Sequence, residues 1–153
     1  MDILAFNIMT AEESGEQWLD NDKQKTIPVV QILINGTDLR TVVKQIELPF
    51  ALLEEDLDIA EELAGAYGCI PVEELFHEMT QYPKDFALFV CSGCGISGCW
   101  SVICEMTQND DSVFWKNFRH NHRDWHYPLE FQFTKENYLQ QLEKLKSALS
   151  KEE

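Results

Sequence analysis

Residues 86–104 read FALFVCSGCGISGCWSVIC and predict two β-strands joined by a glycine-rich loop. If Cys91 lies opposite Cys99, the strands pair Phe86 with Cys104 and keep one face entirely apolar, as burial requires. This register predicts an antiparallel hairpin at the centre of a sheet. It also places Cys104 about 16 Å along its strand from Cys99, in the core and away from the loop.

Apolar periodicity in the rest of the chain predicts a mixture of strands and helices. Further strands are predicted over residues 2–9, 28–34, 100–107, 113–118 and 129–133. Helices are predicted from a cap at Thr37 or Asp38 to Pro49, over residues 52–64 and 72–79, and from Thr134, with fraying from residue 147. Strands and helices in separate blocks indicate one α+β domain over residues 1–153, mainly antiparallel, with helices in the middle and at the C-terminus.

Composition and charge exclude several classes of protein. The 153 residues contain 27 Asp and Glu against 12 Lys and Arg, a net charge of −15, which argues against a nucleic-acid partner. A hydrophobic content of 44% permits a buried core and argues against global disorder. No apolar run reaches the length of a membrane span, so we expect no membrane partner. The N-terminus lacks the pattern of a signal peptide, and five cysteines is an odd number, so we expect a cytoplasmic protein with reduced thiols.

The loop cysteines are the candidate metal ligands. Cys91, Cys94 and Cys99 would converge on one point, and Cys-x-x-Cys-Gly is typical of the turns that hold zinc. The fourth ligand would be His122 or His120. Redox chemistry by the same thiols is an alternative, although this motif ends a strand and does not begin a helix. Reduced thiols without an assigned role are a second alternative.

The segment after the third strand concentrates further polar chemistry. Arg123, Trp125 and Tyr127 are candidate binding residues there, and together with the histidines they would suit a small anionic ligand or acid–base catalysis. The alternative is that Trp125 and Tyr127 anchor the segment on the sheet while Arg123 pairs with an acid.

Acidic charge is unevenly distributed along the chain. Residues 45–83 contain ten Asp or Glu and no Lys or Arg. Such a window is typical of a solvated helix face, and it would also suit a basic protein partner. The sequence therefore favours a non-enzymatic protein with a zinc-binding loop. The alternatives are an acidic interaction module, such as a toxin-neutralising immunity protein, and an enzyme with its site at residues 122–127.

Several motifs resemble those of a group of small uncharacterised bacterial proteins. The shared motifs are Cys94-Gly-x-x-x-Cys99-Trp100, His122-Arg123-Asp124-Trp125-x-Tyr127, Phe131-x-Phe133 with Tyr138, Asn35-Gly36-x-Asp38-Leu39 and Ala64-Gly-Ala-Tyr67. The resemblance implies a bacterial, cytoplasmic origin, and because the group has no known activity, no catalytic function follows from it.

Overall fold

The structure is a computed structural model that describes residues 1–151. The strands are β1 (Leu4–Thr10), β2 (Pro28–Ile34), β3 (Thr37–Asp38), β4 (Tyr67–Pro71), β5 (Asp85–Ala87), β6 (Phe89–Cys91), β7 (Val102–Gln108), β8 (Ser112–His120) and β9 (Phe131–Thr134). The helices are α1 (Asp22–Lys25), α2 (Leu39–Glu54), α3 (Leu57–Leu63), α4 (Val72–Gln81) and α5 (Lys135–Ser150). This mixture confirms the predicted α+β class.

The strands form two antiparallel sheets. The first has the order β1-β2-β4-β6, with β3 beside β2, and the second has the order β5-β7-β8-β9. Strand β4 is missing from the prediction, because Gly68 and Pro71 make this short run resemble a turn. Pairing with β2 on one side and β6 on the other overrides that local preference. One apolar core joins both sheets and the helices α2, α4 and α5.

The predicted strand over 86–91 is in fact two strands that separate at Leu88. Strand β5 pairs with β7 in the predicted register. Strand β6 instead pairs with β4, so that Cys91 lies opposite Tyr67 and not opposite Cys99. The predicted register is therefore right on one side of Leu88 and wrong on the other. The alternation within the hairpin contains no information about β4, which competes for the second half of the strand.

Helix α2 passes through Pro49, where the sequence predicted an end. The helix begins as predicted, with the Asp38 side chain accepting a hydrogen bond from the first turn. Proline removes the N–H that would bond the carbonyl of Gln45. Because Pro49 and Gln45 are both exposed, water can bond that carbonyl and the helix continues to residue 54.

A sharp corner separates α2 from α3, although the sequence predicted one helix over residues 52–64. The Asp56 side chain accepts a hydrogen bond from the N–H of Ile59 at 3.3 Å and caps α3, which starts at Leu57. The spacing of Ile59, Ala60, Leu63 and Ala64 predicts an apolar stripe on this helix. Ala60 is buried as predicted, whereas Ile59 is exposed. The corner therefore leaves part of the predicted apolar stripe in water.

Helix α5 covers the free edge of the first sheet. Thr134 caps the helix as predicted, and the helix continues to residue 150, beyond the predicted start of fraying at 147. The Asn137 side chain accepts from the N–H of Leu4 at 2.9 Å, and the Gln141 side chain accepts from the N–H of Phe6 at 2.8 Å. These bonds satisfy the outward backbone groups of β1, which an uncovered edge would expose to other strands.

Candidate metal centre

Three cysteine side chains meet on the loop that joins β6 to β7. The sulfur atoms of Cys91, Cys94 and Cys99 all lie within 4.8 Å of one another. Cys91 is half-buried, and the other two are exposed. The remaining cysteines, Cys69 on β4 and Cys104 on β7, are buried outside this group. The three loop thiols can hold a metal ion.

Tight turns bring the thiols together, and the predicted cross-strand pair of Cys91 and Cys99 does not form. The N–H of Gly95 donates to the carbonyl of Cys91 at 2.9 Å, and the N–H of Cys99 donates to the carbonyl of Ile96 at 3.2 Å. Gly95 has a φ of +74°, and a Cβ at this position would lie 2.8 Å from the ring of Trp18. Glycine is therefore required both by the left-handed backbone and by the packing of Trp18.

Asn121 clamps the loop from the end of β8. Its amide nitrogen donates to the carbonyls of Ser97 at 3.1 Å and Gly98 at 3.2 Å. Its amide oxygen accepts from the N–H of Ser101 at 2.9 Å. A separate bond joins the Ser97 hydroxyl to Glu74 of α4 at 2.7 Å. These contacts hold the shape of the loop without using the thiols, and the sequence did not predict them because the partners are at least 20 residues apart.

The thiols differ in acidity because of their contacts. Burial raises the pKa of Cys91, but hydrogen bonds from the backbone N–H groups of Cys94 and Gly93, and from the thiols of Cys99 and Cys94, outweigh burial and lower it overall. Hydrogen bonds with Cys94 and Cys91 raise the pKa of Cys99 to about 11. One thiolate is therefore favoured, and its charge opposes a second. A cation would reverse that opposition, because metals bind cysteine as thiolate.

The histidines differ in their capacity to bind a metal. His122 lies outside the 4.8 Å group, which within residues 1–151 contains the three thiols alone. Its Nε2 lies 3.0 Å from the carbonyl oxygen of Gly98. A carbonyl accepts and does not donate, so Nε2 carries the proton and Nδ1 keeps its lone pair. His120 is 6% exposed, its Nδ1 accepts from the N–H of His122 at 2.9 Å, and burial lowers its pKa to about 4. The lone pair of His120 is thus already used.

Carboxylates of α2 hold the three predicted binding residues. Arg123 and Trp125 donate to the two oxygens of Glu54 at 2.9 Å and 2.8 Å. The Tyr127 hydroxyl donates to the carboxylate of Glu47. The structure therefore shows an anchoring contact, with α2 in place of the predicted sheet. A ligand-binding role for these residues stays a prediction.

Glu47 is a fully buried carboxylate that the sequence analysis missed. Besides the bond from the segment after β8, it accepts from the Tyr67 hydroxyl and from the N–H of Gly65 at 2.7 Å. Burial raises the pKa of Glu47, and its hydrogen bonds offset part of that effect. The sequence does contain a signal for it. Val43 and Ala51 stand four residues on either side, so this acid lies on the apolar stripe of the helix.

An apolar groove of about 340 Å³ opens beside the thiols. Its lining consists of Ile59, Glu62, Leu63, Ala66, Cys91, Cys99 and Trp100. The guanidinium of Arg123 lies 5.0 Å from the centre of the Trp100 ring, at the edge of this groove. The groove therefore connects the thiol loop with α3.

No family model matches the chain, and neither a curated protein nor a solved structure matches it. The resemblance to small bacterial proteins and the cytoplasmic location stay predictions. Within residues 1–151, no helix combines the length and the apolar composition that crossing a membrane requires.

Proposed function

We propose that Cys91, Cys94 and Cys99 bind a zinc ion that stabilises the loop between β6 and β7, and that the protein is not an enzyme. The supporting observation is the position of the three sulfur atoms, all within 4.8 Å of one another. In a tetrahedral zinc site with Zn–S distances of about 2.3 Å, two sulfurs stand about 3.8 Å apart. A contraction of at most about 1 Å per pair would therefore complete the site. Thiolate ligands favour zinc over magnesium or calcium.

His122 is the proposed fourth ligand, through Nδ1. The hydrogen bond between its Nε2 and the carbonyl of Gly98 supports this assignment, because metal-binding histidines commonly donate their other ring N–H to a carbonyl. His122 lies outside the group of three thiols, so binding requires an adjustment of this exposed side chain together with the loop carbonyl that it bonds. His120 is a poorer candidate because its Nδ1 lone pair is occupied.

A structural role follows from this ligand set. Three thiolates and one imidazole fill the four positions of a tetrahedral zinc ion and leave none for a substrate or a reactive water. The ion would connect the end of β6, the loop and the segment after β8. The backbone N–H groups of Gly93 and Cys94 lower the pKa of the Cys91 thiol and would stabilise its negative charge in the bound state.

The test is the metal content of tag-free protein, measured by elemental analysis together with a thiol titration. We expect about one zinc per chain. We also expect the three loop thiols to react with a thiol reagent only after a chelator is added. Cys94→Ser should abolish zinc binding. The matched control Cys104→Ala removes a thiol outside the group and should retain the ion.

A cobalt-substituted protein separates the thiol site from its fourth ligand. His122→Ala should keep the thiolate-to-cobalt absorption but change its ligand-field bands and weaken the affinity. Unchanged bands would remove His122 from the ligand set and leave the thiol site intact. Zinc-free protein whose loop thiols react at the same rate with and without chelator would refute the whole proposal. Rapid formation of a disulfide in that protein would favour redox chemistry.

A further inference from the structure

The corner between α2 and α3, residues 52–59, combines apolar and acidic side chains in water. All eight of its residues are exposed. Four of them are large and apolar, namely Leu52, Leu53, Leu57 and Ile59, with exposed fractions of 44%, 86%, 55% and 48%. Among residues 1–151 nine large hydrophobic side chains are exposed, so almost half of them lie in this one corner. Such a concentration is typical of an interaction surface and not of a scattered, neutral surface.

The apolar surface continues from the corner into the groove beside the thiols. Ile59 belongs to both, and Leu63 and Trp100 extend the apolar lining behind it. A volume of about 340 Å³ is enough to receive an apolar side chain from outside. The corner and the groove therefore form one surface with a convex part and a concave part.

Acidic side chains surround this surface without enough bases to pair them. The carboxylates on and next to the corner are Glu54, Glu55, Asp56, Asp58, Glu61 and Glu62. Among residues 1–151, only Glu54 of these six carboxylates forms an ion pair, and its partner is Arg123. No Lys or Arg occurs anywhere from 45 to 83. A second copy of this chain, with a net charge of −15, would be repelled here, whereas a basic partner would be attracted.

We propose that this corner and its groove are a docking surface for a basic amphipathic helix of another protein. Apolar side chains of that helix pack on Leu53 and Leu57 and enter the groove at Ile59. Lysine or arginine side chains on its flanks face the surrounding carboxylates, which also accelerates association. This inference goes beyond the proposed zinc site and does not depend on it.

The test uses a synthetic amphipathic peptide of leucine and lysine, with fluorescence anisotropy for affinity and amide chemical shifts for location. We expect the shifts to map to residues 52–63 and the affinity to fall at high salt. Leu53→Ser combined with Leu57→Ser should weaken binding by at least about tenfold, since each leucine loses its apolar contact. Leu139→Ser is the matched control, because Leu139 is 60% exposed on α5, and it should leave the affinity unchanged.

Each other outcome overturns the proposal. A control peptide has the same composition but scattered leucines, and we expect it to bind weakly. Equal affinity of the two peptides would show that charge alone causes binding, and would refute the proposal. If the variant with Leu53→Ser and Leu57→Ser bound the amphipathic peptide as tightly as the unchanged protein, the apolar contact would likewise be refuted. A dimer that forms with rising concentration and disappears in the Leu53→Ser, Leu57→Ser variant would assign the surface to a second copy. Absence of binding to any amphipathic peptide at low salt would also refute the proposal, because the proposed recognition depends on the arrangement of leucine and lysine and not on one particular sequence.

Discussion

Replacing Glu47 with alanine should destabilise the fold strongly, although its carboxylate is costly to bury. The side chain accepts hydrogen bonds from the hydroxyls of Tyr67 and Tyr127 and from the N–H of Gly65. Each buried donor that loses its acceptor costs about 1–3 kcal/mol. Water can enter the vacated space and accept hydrogen bonds from some of these donors, so the full penalty for three donors is not reached. We therefore expect Glu47→Ala to lower the free energy of unfolding by about 3–5 kcal/mol.

Urea unfolding followed by tryptophan fluorescence measures this loss, and a double-mutant cycle assigns it to the hydrogen bonds. Tyr127→Phe should cost about 1–3 kcal/mol in the native background and much less in Glu47→Ala, where its acceptor is already gone. Gln45→Ala is the matched control on the same helix, because this side chain is exposed and its loss should change the free energy of unfolding by about 0.5 kcal/mol or less. A loss below about 1 kcal/mol for Glu47→Ala would refute the reasoning, and so would a Tyr127→Phe effect of equal size in both backgrounds.

Two further predictions concern the backbone of the loop and the titration of Glu47. Gly95→Ala should lower the free energy of unfolding by at least about 2 kcal/mol and weaken metal binding, because it strains a left-handed residue and displaces Trp18. Gly98→Ala, where a Cβ meets nothing within 4 Å, should change little, and equal effects of the two substitutions on urea unfolding would contradict this. Burial raises the pKa of Glu47 above its usual 4.5, so the proton-linked part of its contribution to stability is present below pH 4.5 and is lost as pH rises through the raised pKa, whereas the hydrogen bonds that the carboxylate accepts remain. Glu47→Gln should abolish that decline in unfolding free energy over this pH range, and parallel profiles for the two proteins would refute the assignment.

Local patterns in the sequence predict most of the secondary structure, and the errors occur where distant segments compete. The β-branched run of β2 and the cap at Thr134 are readable locally, and both are right. The switch at Leu88 depends on β4, which lies about 20 residues away in the chain and has a weak strand signal of its own. Pro49 is a local signal that misleads. The free-energy cost of a proline inside a helix depends on whether water reaches the unpaired carbonyl, here that of Gln45.

The site shows the same division between local and distant information. The spacing of Cys91, Cys94 and Cys99 predicts their convergence, although the structure achieves it with tight turns and not with a strand register. The carboxylates of Glu47 and Glu54 were not predicted as anchors, because the segment that they hold lies 69 to 80 residues along the chain. Periodicity marks an acid on an apolar stripe as unusual, but it cannot identify the hydrogen-bond donors, which belong to other segments of the chain.

The loop is held by contacts that do not involve its thiols, which limits what a bound ion can contribute to stability. Trp18 packs on Gly95, and Asn121 bonds the carbonyls of Ser97 and Gly98. Glu54 holds Arg123, and Asn121 is held by the loop. The backbone of His122, which lies between Asn121 and Arg123, is therefore fixed on both sides. Because these contacts already hold the loop backbone, the loop loses little conformational entropy when its thiols bind an ion, which favours affinity. The large apolar core does not include the loop thiols, so we expect removal of the proposed zinc ion to loosen the loop locally and leave the domain folded, unlike a zinc finger, whose fold depends on the metal.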